Sequence, residues 1–124
     1  MRALLAALLL LPGVALAAPR VPSGQPVSLM EVIWPAPGAS GKTVARFRFL
    51  APALKKGAAN AADLQALCDQ VAVPEVKKHG GQVDQIVVSL SSQPLKFGES
   101  NPNVAQVIEA FVVKAGVCQE AEPW

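Results

Sequence analysis

The sequence has no tyrosine, one histidine and only two cysteines in 124 residues. It is also poor in charge, at 16% Asp, Glu, Lys and Arg, and in aromatic residues, at 5%. Each shortage excludes something. One histidine and two thiols leave a closed structural zinc site without an obvious fourth ligand, and no metal is expected. Cys68 and Cys118 are not spaced C-x-x-C, so thioredoxin-like redox chemistry has no support. Eleven Lys and Arg against nine Asp and Glu leave a net charge of only +2. So small a surplus argues against nucleic acid or an anionic membrane as the partner. Beyond the first residues no apolar run approaches the ~20 residues of a bilayer crossing.

The N-terminus carries what apolar run there is. Arg2 is followed by an unbroken Leu/Ala stretch from Leu4 to Leu11, broken by Pro12-Gly13. Ala15-Leu16-Ala17 then places small residues where a signal peptidase reads them. The expectation is a cleavable signal peptide over 1–17, with a cut after Ala17 or Ala18. A periplasmic or secreted location follows, with no membrane span in the mature chain. An oxidising compartment permits a Cys68–Cys118 disulfide, the alternative being two free buried thiols. The bridge would close a loop of about 50 residues and contribute roughly 4 kcal/mol, less any strain.

Pro19, Pro22 and Pro26, with Ser23 and Gly24, make 18–26 an extended lead-in. The remainder, 27–124, reads as a single α+β domain: a small antiparallel sheet with one main helix packed on one face. Val27–Trp34 is rich in strand formers. The loop from Pro35 to Gly41 returns the chain into Thr43–Leu50, antiparallel to it. There Ala45, Phe47 and Phe49 alternate with Val44, Arg46 and Arg48, which gives a half-buried strand with a basic outer face. Asn60 is a helix cap, with Asp63 completing an imperfect capping box. Leu64, Leu67, Cys68 and Val71 recur at helical spacing and put Cys68 on the core side. Pro74 opens a second short helical turn, stopped by Gly80-Gly81.

Asp84–Ser91 is the next strand, and Pro94–Gly98 a short edge piece. Glu99–Asn103 is a turn cluster. Residues 104–110 fit helix or strand; the reading adopted is a helical start passing into strand near Glu109. Ala115-Gly116 turns the chain, and Val117–Ala121 pairs back. Cys118 then points inward while Val117 and Gln119 point out, so the bridge would join the helix to the last strand.

Few groups suggest chemistry. Gly41-Lys42-Thr43 ends like a phosphate-binding loop, but Ala36 stands where the first glycine belongs, between two prolines that lack N–H donors. No cofactor is expected. His79 could act as a general base, yet Lys77-Lys78-His79 before two glycines suits a solvated helix end. No G-x-S-x-G elbow surrounds Ser89, Ser91 or Ser92. Arg46 and Arg48 share a strand face and could grip a carboxylate or phosphate; the plainer reading is a solvated face. Glu120 and Glu122 read as a solvated terminal segment rather than metal donors. Trp34 reads as core at a strand end, and Trp124 as a cap or a free end.

Arg46-Phe47-Arg48-Phe49 with Ala51-Pro52, then Leu67-Cys68, Ile86–Leu90, Phe97-Gly98, Pro102, Glu109-Ala110-Phe111 and Cys118, resemble an uncharacterised family of small exported alphaproteobacterial proteins carrying a domain of unknown function. The resemblance spans about residues 21–120. It implies an exported location and paired cysteines, and no activity for any residue. After Cys118 this chain departs from the family's ending, with Gln119-Glu120-Ala121-Glu122. Functionally, the thin catalytic inventory points to a non-catalytic binding or envelope-interaction module, with an unknown protein or envelope component as partner. The alternative is a small hydrolase or transferase using His79.

Overall fold

A computed structural model describes residues 18–122, apart from Ala39 and Ala59. The signal-peptide expectation and Trp124 lie outside the described residues. Five strands form one sheet in sequence order: β1 (Ser28–Ile33), β2 (Val44–Leu50), β3 (Gln85–Ser91), β4 (Gln106–Lys114) and β5 (Val117–Glu120). A helical segment between β2 and β3 covers one face. The architecture is the expected α+β arrangement, with one departure from an antiparallel sheet: β2 and β3 run parallel. A parallel pair needs a crossover, and the helical segment supplies it.

That segment is α1 (Ala61–Leu67), a π-helical turn (Cys68–Ala72) and α2 (Val73–Lys78) in direct succession. Pro74 accounts for the wide turn. It has no N–H for the carbonyl four residues back, and its ring would clash there. Instead the Val73 N–H reaches Cys68 O, five residues back. So Pro74 sits inside a continuous helical path rather than opening a separate one. Past His79, the Gly81 N–H bonds back to Val76 O, with Gly80 at φ 110°. This left-handed ending needs glycine and stops the helix where expected.

The core lies between helix and sheet. Ala45, Phe47 and Phe49 of β2, Ile86, Val88 and Leu90 of β3, and Phe111 of β4 meet Leu64, Leu67, Cys68, Ala72 and Val76. Strand alternation chooses these residues, and burying each large one contributes about 1.5–3 kcal/mol.

Three expectations need correction. Asn60 does not cap α1 with its side chain; its amide donates to Ala58 O, and its oxygen accepts from Gln25 Nε2. Pro94–Gly98 is loop, not strand. Residues 106–110 are strand from the start, with no helical turn, because β3 offers an open ladder from Ser91 back to Ile86. That ladder outweighs a helical spacing of Val104, Val107, Ile108 and Phe111 which short apolar runs share with strands.

Asp63 takes another role than capping. It is 2% exposed and accepts from Ser23 N (2.9 Å), Ser23 Oγ (2.5 Å) and Gln25 Nε2 (2.7 Å). These bonds fasten the lead-in to the helix and let Val21 and Val27 enter the core. Burial pushes the Asp63 carboxyl up, but the Ser23 and Gln25 donors together outweigh it, so it lies below its usual 3.8. A lowered folded value stabilises the fold above the unfolded pKa, and that stability is lost as pH falls through 3.8 toward the folded value. Asp63→Ala should therefore cost about 1–2 kcal/mol at neutral pH, with the gap to the unsubstituted protein closing in acid. Urea unfolding at pH 7 and pH 3 reads both.

The β4–β5 hairpin turns at Ala115 (φ 53°) and Gly116 (φ 78°), both left-handed, as a two-residue turn matching the sheet twist requires. Alanine is strained there. Ala115→Asn should raise stability by up to about 1 kcal/mol, measurable as a shift in urea midpoint at constant slope.

Candidate functional site

The helices cover one face of the sheet, and the other is open except where the β3–β4 connection folds back over β2 and β3. Arg46 and Arg48 project onto this open face because Ala45, Phe47 and Phe49 take the core side. Both arginines lie on the second strand, not at an edge, and they are not equivalent.

Arg48 is only 7% exposed, so the expectation of a solvated basic face fails for it. Its Nη1 pairs with Glu31, and its Nη2 donates to Leu95 O at 2.6 Å. A buried guanidinium is tolerable only when so engaged. A bulge at Met30 makes the ion pair possible. Leu29 pairs with Phe49 on the helix face, yet Glu31, two residues on, pairs with Arg48 rather than Phe47. The extra residue flips the phase, aiming Glu31 at the open face and Val32 into the core.

Arg46 is half-buried, and among the described residues its guanidinium has no carboxylate or carbonyl acceptor. It lies 5.2 Å from the Phe97 ring centre, with Arg48 at 5.9 Å. Phe97 itself is 59% exposed, held out over the two arginines by the connection. Leu95 anchors that connection from beneath, and Ser92 and Ala105 close its base by two reciprocal bonds. Below Phe97 is a cavity of ≈ 210 Å³, lined by Arg46, Arg48, Val87, Ser89, Phe97, Gly98, Glu99, Gln106 and Ile108. Beyond it the open face carries a group of apolar residues edged by Lys114 and Gln119. Ala110 and Val112 are half-buried there, and Ile108 and Val117 exposed.

A family model, Family of unknown function (DUF6497), matches residues 6–122. The chain belongs to this family. No curated protein and no solved structure matches it.

Elsewhere in this DUF6497 chain, Cys68 and Cys118 are disulfide-bonded, with Cα atoms 6.2 Å apart. The bridge joins the π-helical turn to β5, as the inward phase of Cys118 anticipates. Asp69 and Gln65 reinforce it: Cys118 N donates to Asp69 Oδ1 at 2.8 Å, and Gln65 Nε2 donates to Cys118 O at 2.6 Å.

His79 stands at the C-terminus of α2, its ring stacked on Trp34 at 3.7 Å. Trp34 packs edge-on against Phe47 at 5.8 Å, which agrees with its reading as core at a strand end. The concavity beside His79 is lined by Trp34, Pro35, Thr43, Val76, Gln82 and Val83. Its one hydroxyl, Thr43 Oγ1, is held by Asp84. Ser91 Oγ donates to Gln93 O, and Ser92 Oγ accepts from Ala105 N. None of these hydroxyls is delivered to the imidazole as a nucleophile.

The Gly41-Lys42-Thr43 sequence leads into β2, not into a helix. The Thr43 N–H that would face a phosphate donates to Asp84 Oδ2 at 2.7 Å. The Thr43 donors hold the Asp84 carboxyl below its usual value, with Lys42 adding to the effect. Glu120 and Glu122 are exposed, and no group of three His, Cys, Asp or Glu among the described residues is placed to hold a metal ion. No helix among the described residues is long and apolar enough to cross a membrane.

Ser89, Gln106, Phe97 and Ile108 escaped the sequence reading as binding candidates. Ser89 was weighed only as a nucleophile. The available signal was its place in the alternation of β3, opposite in phase to Val88 and Leu90.

Proposed function

We propose that the protein works after export, in the periplasm or outside the cell, as a non-catalytic binding module. Its open sheet face holds a protein or envelope component. The observation that carries this reading is the uncovered face itself. It carries Ile108, Ala110, Val112 and Val117 out from the Arg46 cavity, edged by Lys114 and Gln119, and has no layer of its own among the described residues. A two-layer fold needs one covered sheet face, and exposed apolar residues gathered on the other and rimmed by polar ones mark an interaction surface. The disulfide suits an oxidising compartment. A hydrolase or transferase at His79 draws no comparable support, since its ring is stacked on Trp34 and no hydroxyl among the described residues bonds to it.

Site-specific photocrosslinking in producing cells tests the reading. A crosslinking residue at Ile108 should capture a product of defined mass, and one at Gln70 on the helical side should not. Equal capture from both positions, or none from Ile108, would overturn it. Intact-mass analysis checks export. The expected chain starts at Ala18 or Pro19, and retention of Met1 on the exported protein would contradict the leader.

A further inference from the structure

We propose that the cavity beneath Phe97 is a carboxylate-binding subsite, with Arg46 as the charged anchor and Ser89 as the neutral donor. The inference rests on the binding reading above and names the group that the open face holds.

Three observations converge. Arg46 presents a guanidinium with no acceptor among the described residues, although it is half-buried and its neighbour Arg48 is held by Glu31 and Leu95 O. A guanidinium matches a carboxylate by two parallel N–H donors. Ser89 is 6% exposed and lines the same cavity, yet its hydroxyl makes no hydrogen bond to any described residue. No fully buried side-chain oxygen or nitrogen among the described residues lacks a partner. The Ser89 hydroxyl therefore meets solvent, and the cavity it lines is the way out. The residue is nine-tenths buried while its hydroxyl faces the cavity, so that donor is free to exchange water for an acceptor that enters. Gln106, on the rim, adds an amide with no hydrogen bond of its own.

The remaining walls choose among anions. Val87, Phe97 and Ile108 are apolar, so the group that enters carries a short apolar body. The ≈ 210 Å³ holds about seven waters' worth of volume, enough for a small acid or one acidic side chain with its neighbour's methyl groups. Glu99 also lines the cavity and makes no side-chain bond to a described residue. Its charge opposes a second negative charge on the ligand. Arg48 is already paired with Glu31, so among the described residues Arg46 is the cavity-lining cation without an anionic partner, and Glu99 beside it disfavours more than one negative charge on the ligand. A monocarboxylate fits this balance, and a phosphate dianion does not. On binding, the Arg46 guanidinium keeps its place beside the Phe97 ring, and Phe97 shields the new ion pair from water.

The test is an amide-resolved NMR titration of the oxidised protein, 18–124, with benzoate, benzamide and inorganic phosphate as probes. A second arm uses acetyl-Val-Asp-Val-amide and its Asn counterpart. Benzoate should shift amides of β2, β3, β4 and the Phe97 loop, benzamide and the Asn peptide should not, and phosphate should bind more weakly than benzoate. Arg46→Gln should weaken benzoate about tenfold or more, and Ser89→Ala about three- to tenfold, with the amide spectrum otherwise retained. Tighter binding of the Asp peptide assigns the carboxylate to a polypeptide, and the reverse to a free small acid; both outcomes keep the subsite. Equal binding of benzoate and benzamide, tighter binding of phosphate, or an unchanged titration in Arg46→Gln would overturn it. A partner crosslinked from Ile108 with equal yield in Arg46→Gln, alongside an unchanged benzoate titration, would leave the binding reading and remove the subsite. Benzoate held through Arg46, with nothing crosslinked from the open face, would do the opposite.

Discussion

Replacing Cys68 and Cys118 together by alanine is expected to lower the unfolding free energy by about 2–5 kcal/mol, a large share of a total stability of order 5–15 kcal/mol. The bridge closes a loop across a sequence separation of 50, which restricts the unfolded chain. It also holds a four-residue strand that pairs with β4 alone. The bonds from Gln65 and to Asp69 depend on Cys118 staying in place, so they weaken together when the staple goes. The measurement is urea unfolding of the double variant, with hydrogen exchange at β5. Amides of Val117–Glu120 should lose protection before those of β2 and β3. Uniform loss across the sheet, or a cost below 1 kcal/mol, would contradict this account.

Phe47→Ala should be as damaging, at about 3–5 kcal/mol, for a different reason. Phe47 is fully buried in β2, between the β1 and β3 partners Val32 and Val88. Its ring supports Trp34, which in turn carries His79. Truncation removes apolar burial and leaves a cavity that two flanking strands cannot collapse to fill. The Trp34 emission should shift as its edge contact is lost, and the urea midpoint should fall at nearly constant slope. Phe97→Ala gives the contrast. Phe97 is exposed and outside the core, so stability should change by less than about 0.5–1 kcal/mol.

Much of the fold is legible in the sequence because side-chain alternation is local. Ala45, Phe47 and Phe49 declare the buried face of β2, and Leu64, Leu67 and Cys68 declare that of the helix. The Cys68–Cys118 pairing follows from two independent phases meeting. What escapes is settled by partners far along the chain. The parallel pairing of β2 and β3 depends on the helical crossover, which no strand pattern encodes. Gln106–Glu109 is strand because β3 lies beside it. The candidate site is half legible. The shared face of Arg46 and Arg48 is plain, but their difference is not. It arises from the Met30 bulge, which brings Glu31 to Arg48 alone, and from Leu95, which lies 47 residues from Arg48. The same long-range closure makes Asp63 an anchor for Ser23 and Gln25 rather than a cap.

The two borders of the sheet have a consequence for life at high concentration. A strand at the edge of a sheet ordinarily offers its outer N–H and C=O groups to any neighbouring chain, and sheets grow into aggregates by that route. On β5 the outward-facing amide and carbonyl of Cys118 are already taken by Asp69 and Gln65. On β1 the bulge at Met30 breaks the even spacing that an incoming strand would need. Both borders thus discourage continuation of the sheet, and the one at β5 does so only while the bridge holds the strand in place. Oxidation therefore governs solubility as well as stability: the reduced chain should self-associate through β5 at protein concentrations where the oxidised chain stays monodisperse.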